Sequence, residues 1–421
     1  ISIGLVGSEM CIRDSLTSAV HFCYGRYQQQ GDAMNQKFVP PKRKTKVVFV
    51  QLGSPEDPSP RALRKYLRKF LGDPRLIDWN PWLWKIILNF FVLPFRPRKS
   101  AKLYERIWDG ESFPLITNTA EFTNKVRKHL QAIDPEGHVE VNHAFLLSPP
   151  YVNEVYDSWE NDLKNGTGAT KLMVIPMFPQ YSESTVASGI DALAKELSKR
   201  VKIPTFEVIT NFHRTHAFID NSVKMIDAKL AEMQENGINP DKLLLTFHGM
   251  QKRRVVEKGD DYYRHCYETF RLIIDRLENI EPNKAIMTFQ SRFGSEEWIT
   301  PYTEDTVEEL ISEGDENIVV YSPSFVVDCL ETTDELGYEL AKEAKEWGGN
   351  IHTVDCLNIN DDWCRDFATY TLTQAEGSAQ DKEDLEYQMT SSDYDEMPVL
   401  ILEKGGYSVS KEVFHHTLES D

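Results

Sequence analysis

The chain has 421 residues, a formal net charge of −19 and 41% hydrophobic residues. That length can bury the core of two or three domains or of two fused halves, and the acidic balance excludes nucleic acid as a partner, because phosphate binding needs a basic face. Six scattered cysteines without a CxxC pair argue against a zinc or thioredoxin-type motif and for a reducing compartment.

Residues 5–15, LVGSEMCIRDS, read as the in-frame translation of a sequencing adapter. Residues 1–33 are therefore expected to lie upstream of a start at Met34, and residues 34–44 to form a short basic lead. From TKVVFVQL (45–52) onward, β-rich apolar runs alternate with amphipathic segments. Strands are expected at 46–52, 139–147, 171–177, 205–210, 242–247, 284–290, 317–321 and 350–355. Helices between strands mean βαβ units and parallel sheets. The expected fold class is α/β, with two Rossmann-like halves, 45–205 and 206–374, each a four-stranded parallel sheet flanked by helices, and a cleft between them.

Residues 76–100, LIDWNPWLWKIILNFFVLPFRPRKS, form the most hydrophobic stretch. It is too short and too broken by proline to span a bilayer. It suits either a helix buried over the sheet or an apolar lip with basic residues, Arg96 among them, for a flat ligand or a membrane surface.

A weak internal repeat supports two halves. Residues 171–197 and 317–344 each run through a strand, a proline/aromatic loop and a helix closing on Leu-Ala-Lys-Glu or a close variant. Ligands of open α/β sheets bind beyond the carboxyl ends of the strands. That rule directs attention to His248, at the end of the strand LLLTFH, and to Gln290 and Ser291, at the end of AIMTFQ. It also singles out the acids Glu331, Glu335 and Glu339, spaced i, i+4, i+8 behind SFVVDC. Glutamates in such a file more often face solvent. At the edge of a cleft they can instead pass protons or hold hard cations. Residues 375–421 are acidic and poor in branched aliphatics, and are expected to be disordered.

Several stretches in register resemble the ferrochelatase family: VQLGSPEDPSPRALRKYLRKFLGDPRLID (50–78), LPFRPRKSAKLYERIW (93–108), FPQYSESTVAS (178–188), FHGMQKRRVVEKGDDY (247–262), FQSRFGSEEW (289–298) and FVVDCLETTDEL (325–336). The resemblance implies insertion of ferrous iron into protoporphyrin, the last step of haem biosynthesis, in a cleft between two Rossmann-like halves. It places the catalytic histidine on His248 and the active-site glutamate on Glu331. His248, Glu331 and Glu335 become the expected metal-handling groups. Leu52, Arg96, Tyr181, Ser182, Gln290, Ser291, Trp298 and Cys329 become the expected substrate contacts. It implies porphyrin and ferrous iron as partners, iron as a substrate and no cofactor. It also implies a monomer or homodimer in the cytoplasm, with peripheral contact to the inner face of the membrane through residues 76–100.

The chain departs from the family pattern in three places. Cys329 stands where a histidine is usual, Phe145-Leu146-Leu147 where Met-Arg-Tyr is usual, and Gln251 where a proline is usual. Cys356 and Cys364 alone cannot supply the four thiolates of an iron–sulfur cluster, so none is expected. Two alternatives stay open at this point: a porphyrin- or haem-binding homologue without catalysis, and a chelatase for another pair such as coproporphyrin or cobalt.

Overall fold

The computed structural model describes residues 44–294 and 296–398; the upstream residues and most of the basic lead lie outside the described residues. Eight strands pair in two parallel four-stranded sheets. The first holds β1 (Thr45–Gln51), β2 (Val139–Phe145), β3 (Lys171–Pro176) and β4 (Thr205–Val208), in the order β2-β1-β3-β4. The second holds β5 (Lys242–His248), β6 (Ala285–Gln290), β7 (Asn317–Tyr321) and β8 (Asn350–Thr353), in the order β6-β5-β7-β8. The two orders are the same, so the repeat visible in the sequence is a repeat of topology. Each expected strand is present. All of β1 is buried, as is β5 apart from its two ends. Strands covered on both faces read as continuous apolar runs, which is why the sequence exposed them so clearly.

One apolar cluster runs through both sheets. It joins Val47, Phe49 and Met173 of the first to Leu243, Leu245 and Val319 of the second. The helix Asp361–Glu376 closes this core, with Trp363 stacked on Phe122 and Phe367 edge-on to Phe212. The last helix of the second half thus packs on the first.

The acidic tail corrects an expectation. Through residue 398 it is ordered: it forms a short helix at Ala379–Glu383 and buries Met397 in the core. Tyr387 Oη donates to Asp220 (2.6 Å) and Tyr394 Oη to Glu268 (2.6 Å), while Glu386 pairs with Arg214 (2.9 Å) and Glu396 with Arg271 (2.8 Å). The composition is that of a disordered segment, but spaced aromatic anchors and acids facing basic helices hold it. Residues 399–421 lie outside the described residues.

The apolar stretch forms a lip. The helix Pro81–Ile87 has no buried residue, and Trp82 (78%), Phe90 (70%) and Phe95 (71%) stand in solvent. Leu88 and Leu93 root the lip against Tyr66, Leu67 and Leu71. Among the described residues, no helix is long and apolar enough to cross a membrane.

Candidate active site

A cleft opens at the carboxyl ends of both sheets. It is lined by Leu52 after β1, by Ser182, Ser184 and Thr185 after β3, by His248 at the end of β5 and by Cys329 and Glu331 after β7. Its empty space, including the part open to solvent, is about 1040 Å³. Tyr66, Phe70, Tyr104, Phe113, Phe178 and Phe325 make most of the wall aromatic. Such a wall, with a few convergent polar groups, suits a flat apolar ligand.

His248 is half-buried and its tautomer is set by a neighbour. Nδ1 lies 2.7 Å from the carbonyl of Gly249. A carbonyl can only accept, so Nδ1 carries a hydrogen, and in the neutral imidazole Nε2 is the nitrogen with the free lone pair. The strand end beneath is braced: the backbone N–H of His248 donates to Ser324 Oγ (3.2 Å), and Tyr262 Oη donates to the carbonyl of His248 (2.9 Å). In its neutral form the imidazole therefore presents Nε2 as its basic nitrogen, from a rigid support.

The acid file begins in a π-helix, Leu330–Leu340, whose i→i+5 turn is wider than an α turn and is frequent at functional sites. Glu331 lines the cleft, and Gln290 Nε2 donates to its carbonyl (3.2 Å) from the end of β6. Glu335 lies one turn further back. Ser291 binds both its oxygens, through N–H and Oγ, each at 2.7 Å. Ser291 has φ +62°, rare for a residue with a side chain, and the carboxylate holds it there. Burial pushes the Glu335 carboxyl up to about 7, against the two Ser291 bonds and with help from the charges of Glu331 and Glu339. Glu339, at the outer end, pairs with Arg106 (2.7 Å), which also binds Asp334. The file therefore runs from an open carboxylate in the cleft, through a carboxyl that titrates near neutrality, to a charge neutralised at the surface.

Cys329 lines the cleft and packs against Leu115, Val327 and Phe325. Burial, followed by the Glu331 charge, pushes its thiol well up, so it is neutral at ordinary pH.

Not every expected contact reaches the cleft. Trp298 is buried behind Gly249: a Cβ there would meet its ring at 3.0 Å, and its indole N–H donates to Phe293 O (2.9 Å). Tyr181 and Arg96 are also off the lining. Gln290 and Ser291 brace the acid file from behind. His248, Glu331 and Glu335 do not gather as three ligands; among the described residues no cluster of three or more His, Cys, Asp or Glu side chains could hold a metal. Arg96 sits over the ring of Phe293 (4.5 Å), with no carboxylate within ion-pair distance among the described residues. Burial alone lowers its pKa.

Tyr66, Tyr104 and Phe113 were not singled out in the sequence. They come from helices Pro60–Phe70 and Arg96–Arg106 and the turn after the latter. In place of the family's Met-Arg-Tyr, Leu146 and Leu147 line an adjoining recess. There Lys69 Nζ donates to Tyr151 Oη (2.8 Å).

Two parallel sheets, a shared aromatic cleft and an imidazole sharing it with a carboxylate define a chelatase-type α/β enzyme. The ferrochelatase family profile matches residues 44–374. The chain is 37% identical to the ferrochelatase of Herminiimonas arsenicoxydans over 77% of this chain and 85% of that one. It is 37% identical to that of Idiomarina loihiensis (74% and 83%) and 36% identical to that of Brucella ovis (76% and 88%). The chain belongs to the ferrochelatase family: it is a metal chelatase, a lyase that puts ferrous iron into a porphyrin, the closing step of haem biosynthesis.

Proposed function

We propose that the porphyrin is protoporphyrin IX and that the cleft residues divide the work by face. Metallation removes two pyrrole protons and admits one Fe²⁺, so charge balances only if both protons leave the site. His248 Nε2, with its one lone pair, accepts them one at a time on one face and hands each on before taking the next, as suits an imidazole at neutral pH. Glu331 receives them or guides the metal, and Glu335 relays to the surface. The aromatic wall holds the ring in a distorted form that exposes the nitrogen lone pairs, and ring-face contacts oppose the strain. Arg96, without an acid partner among the described residues, meets a propionate at the cleft mouth. Iron is substrate, and the reading includes no cofactor.

The observation that carries this is the His248 tautomer: its N–H is spent on Gly249, and its basic nitrogen shares an apolar cleft with Glu331. The test is an anaerobic assay with Fe²⁺ and protoporphyrin, then coproporphyrin, followed by the Soret band. Faster turnover of protoporphyrin is expected. Faster turnover of coproporphyrin overturns the choice of porphyrin, and no metallation of either overturns catalysis.

The exposed lip, with Arg98 and Lys99 solvent-exposed beside it, supports peripheral contact with the inner face of an anionic membrane by a cytoplasmic protein. Co-sedimentation with vesicles containing phosphatidylserine is expected, and Trp82→Glu with Phe90→Glu should abolish it. Equal pelleting of that double variant refutes lip docking.

A further inference from the structure

Arg254 is 1% exposed, yet it belongs to none of the chemistry above. Its guanidinium reaches four groups from three segments. Nε donates to Gln251 Oε1 (2.7 Å), Nη1 to Arg75 O (2.7 Å) and Glu183 Oε2 (2.8 Å), and Nη2 to Leu76 O (2.8 Å). Arg75 and Leu76 are the root of the lip. Glu183 opens the turn that carries Ser184 and Thr185 to the cleft, and Gln251 follows the His248-Gly249-Met250 wall. The same root is tied twice more. Asp78 binds Arg253 (2.7 Å) and Lys258 (2.6 Å), and Arg75 holds Asp191 in a bidentate pair (2.7 and 3.0 Å).

A buried arginine is costly unless its donors are met by well-placed acceptors. Here the acceptors belong to both walls of the cleft. Gln251 stands where the family usually has proline, a residue with no side-chain acceptor. This chain therefore supplies a partner for Arg254 Nε that the family's usual residue would not.

We infer that Arg254, seated by Gln251 and backed by Asp78, is a positioning residue that clamps the lip root to the His248 wall and so sets the width of the porphyrin cleft. Loosening the clamp leaves the reacting groups in place but lets the ring-binding walls separate. Porphyrin affinity falls more than turnover.

The inference rests on the porphyrin-insertion reading, and wild-type activity in the same assay separates the two: an inactive wild type refutes that reading, not the clamp. The variants are Gln251→Pro, Asp78→Asn and Arg254→Lys in the full chain. Gln251 has φ −62°, which a proline ring accepts, so the first should fold. Losing one hydrogen bond to a charged group is expected to raise the KM for protoporphyrin about tenfold in Gln251→Pro, with kcat within about twofold. Asp78→Asn should raise it less. Arg254→Lys, which cannot serve four acceptors, should raise it more. A merely structural role lowers the folded fraction, which reduces kcat and leaves KM unchanged. An unchanged KM in Gln251→Pro and Asp78→Asn, or a fall confined to kcat, overturns the clamp.

Discussion

The two halves of the molecule carry the same device with different contents. After β3 and after β7 the chain turns through a loop into a π-helix, Glu183–Ala187 in one half and Leu330–Leu340 in the other, and then into an α-helix. In the first half the turn offers hydroxyls: Ser182 Oγ and Thr185 Oγ1 lie 2.6 Å apart, and Glu183 points away to Arg254. In the second half it offers acids, with Glu331 in the cleft and Glu335 behind it. The shared backbone brings both turns to the cleft; only side chains decide which turn can move protons. Hydroxyl groups stay neutral through the whole working pH range. A buried carboxyl raised to about 7 changes charge within it. The chemistry should therefore be lopsided, with the second half reacting and the first half holding.

The sharpest way to break this contrast is at the base. His248→Ala is expected to lower turnover by about 10²–10⁴-fold, the range of a general base. Equilibrium fluorescence quenching should show porphyrin binding within about threefold of wild type. Near wild-type insertion would remove His248 as the proton acceptor. Glu331→Gln comes next, with about 10- to 100-fold lower turnover and little loss of porphyrin affinity. The matched control in the other half is Ser182→Ala. If it costs as much as Glu331→Gln, the asymmetry is wrong.

Glu335 sharpens the contrast by its pH dependence. Its folded pKa of about 7 lies above the ordinary 4.5. The folded state thus binds more protons than the unfolded state between those values, and stability falls as pH rises through that window. Its contribution is full below about 4.5 and gone above about 7. Denaturant midpoints measured from pH 4.5 to 7.5 should therefore show a decline that Glu335→Gln flattens. Identical slopes for the two proteins would mean that the carboxyl is ionised throughout.

How much of this was legible in the sequence depended on whether a residue's setting was local. The strands were readable because both faces of each sheet are covered, which makes every strand a run of apolar residues. His248 and Glu331 were readable because a strand's carboxyl end has a fixed place in such a fold. Trp298 was not: its distance from the cleft depends on Gly249, whose missing Cβ lets the ring slide in behind the wall. Tyr66 and Tyr104 belong to amphipathic helices, where aromatic residues read as core, and only the docking of those helices turns them toward the cleft. The ordered tail was hidden because composition averages over its anchors. Tyr387, Tyr394 and Met397 are few among many acids, yet each finds a partner at long range.

The smallest expected effect falls on the residue whose identity is most unusual. Cys329 heads the acid file where the family usually has histidine, and a thiolate there would be a soft metal ligand. The surroundings work against a thiolate. The side chain is buried among Leu115, Val327 and Phe325, and burial together with the Glu331 charge keeps the proton on sulfur. A neutral thiol in that setting acts as a small apolar group. Cys329→Ser should therefore keep iron insertion within about twofold and leave the order of preference among Fe²⁺, Co²⁺ and Zn²⁺ unchanged, because serine nearly keeps the shape and its hydroxyl can take over the helix-capping bond from the Thr332 backbone N–H. Competition assays with paired metals would read this directly. A shift of preference away from the softer metals in the serine variant would mean that the sulfur meets the incoming ion, and that the reactive half uses a thiol as well as its acids.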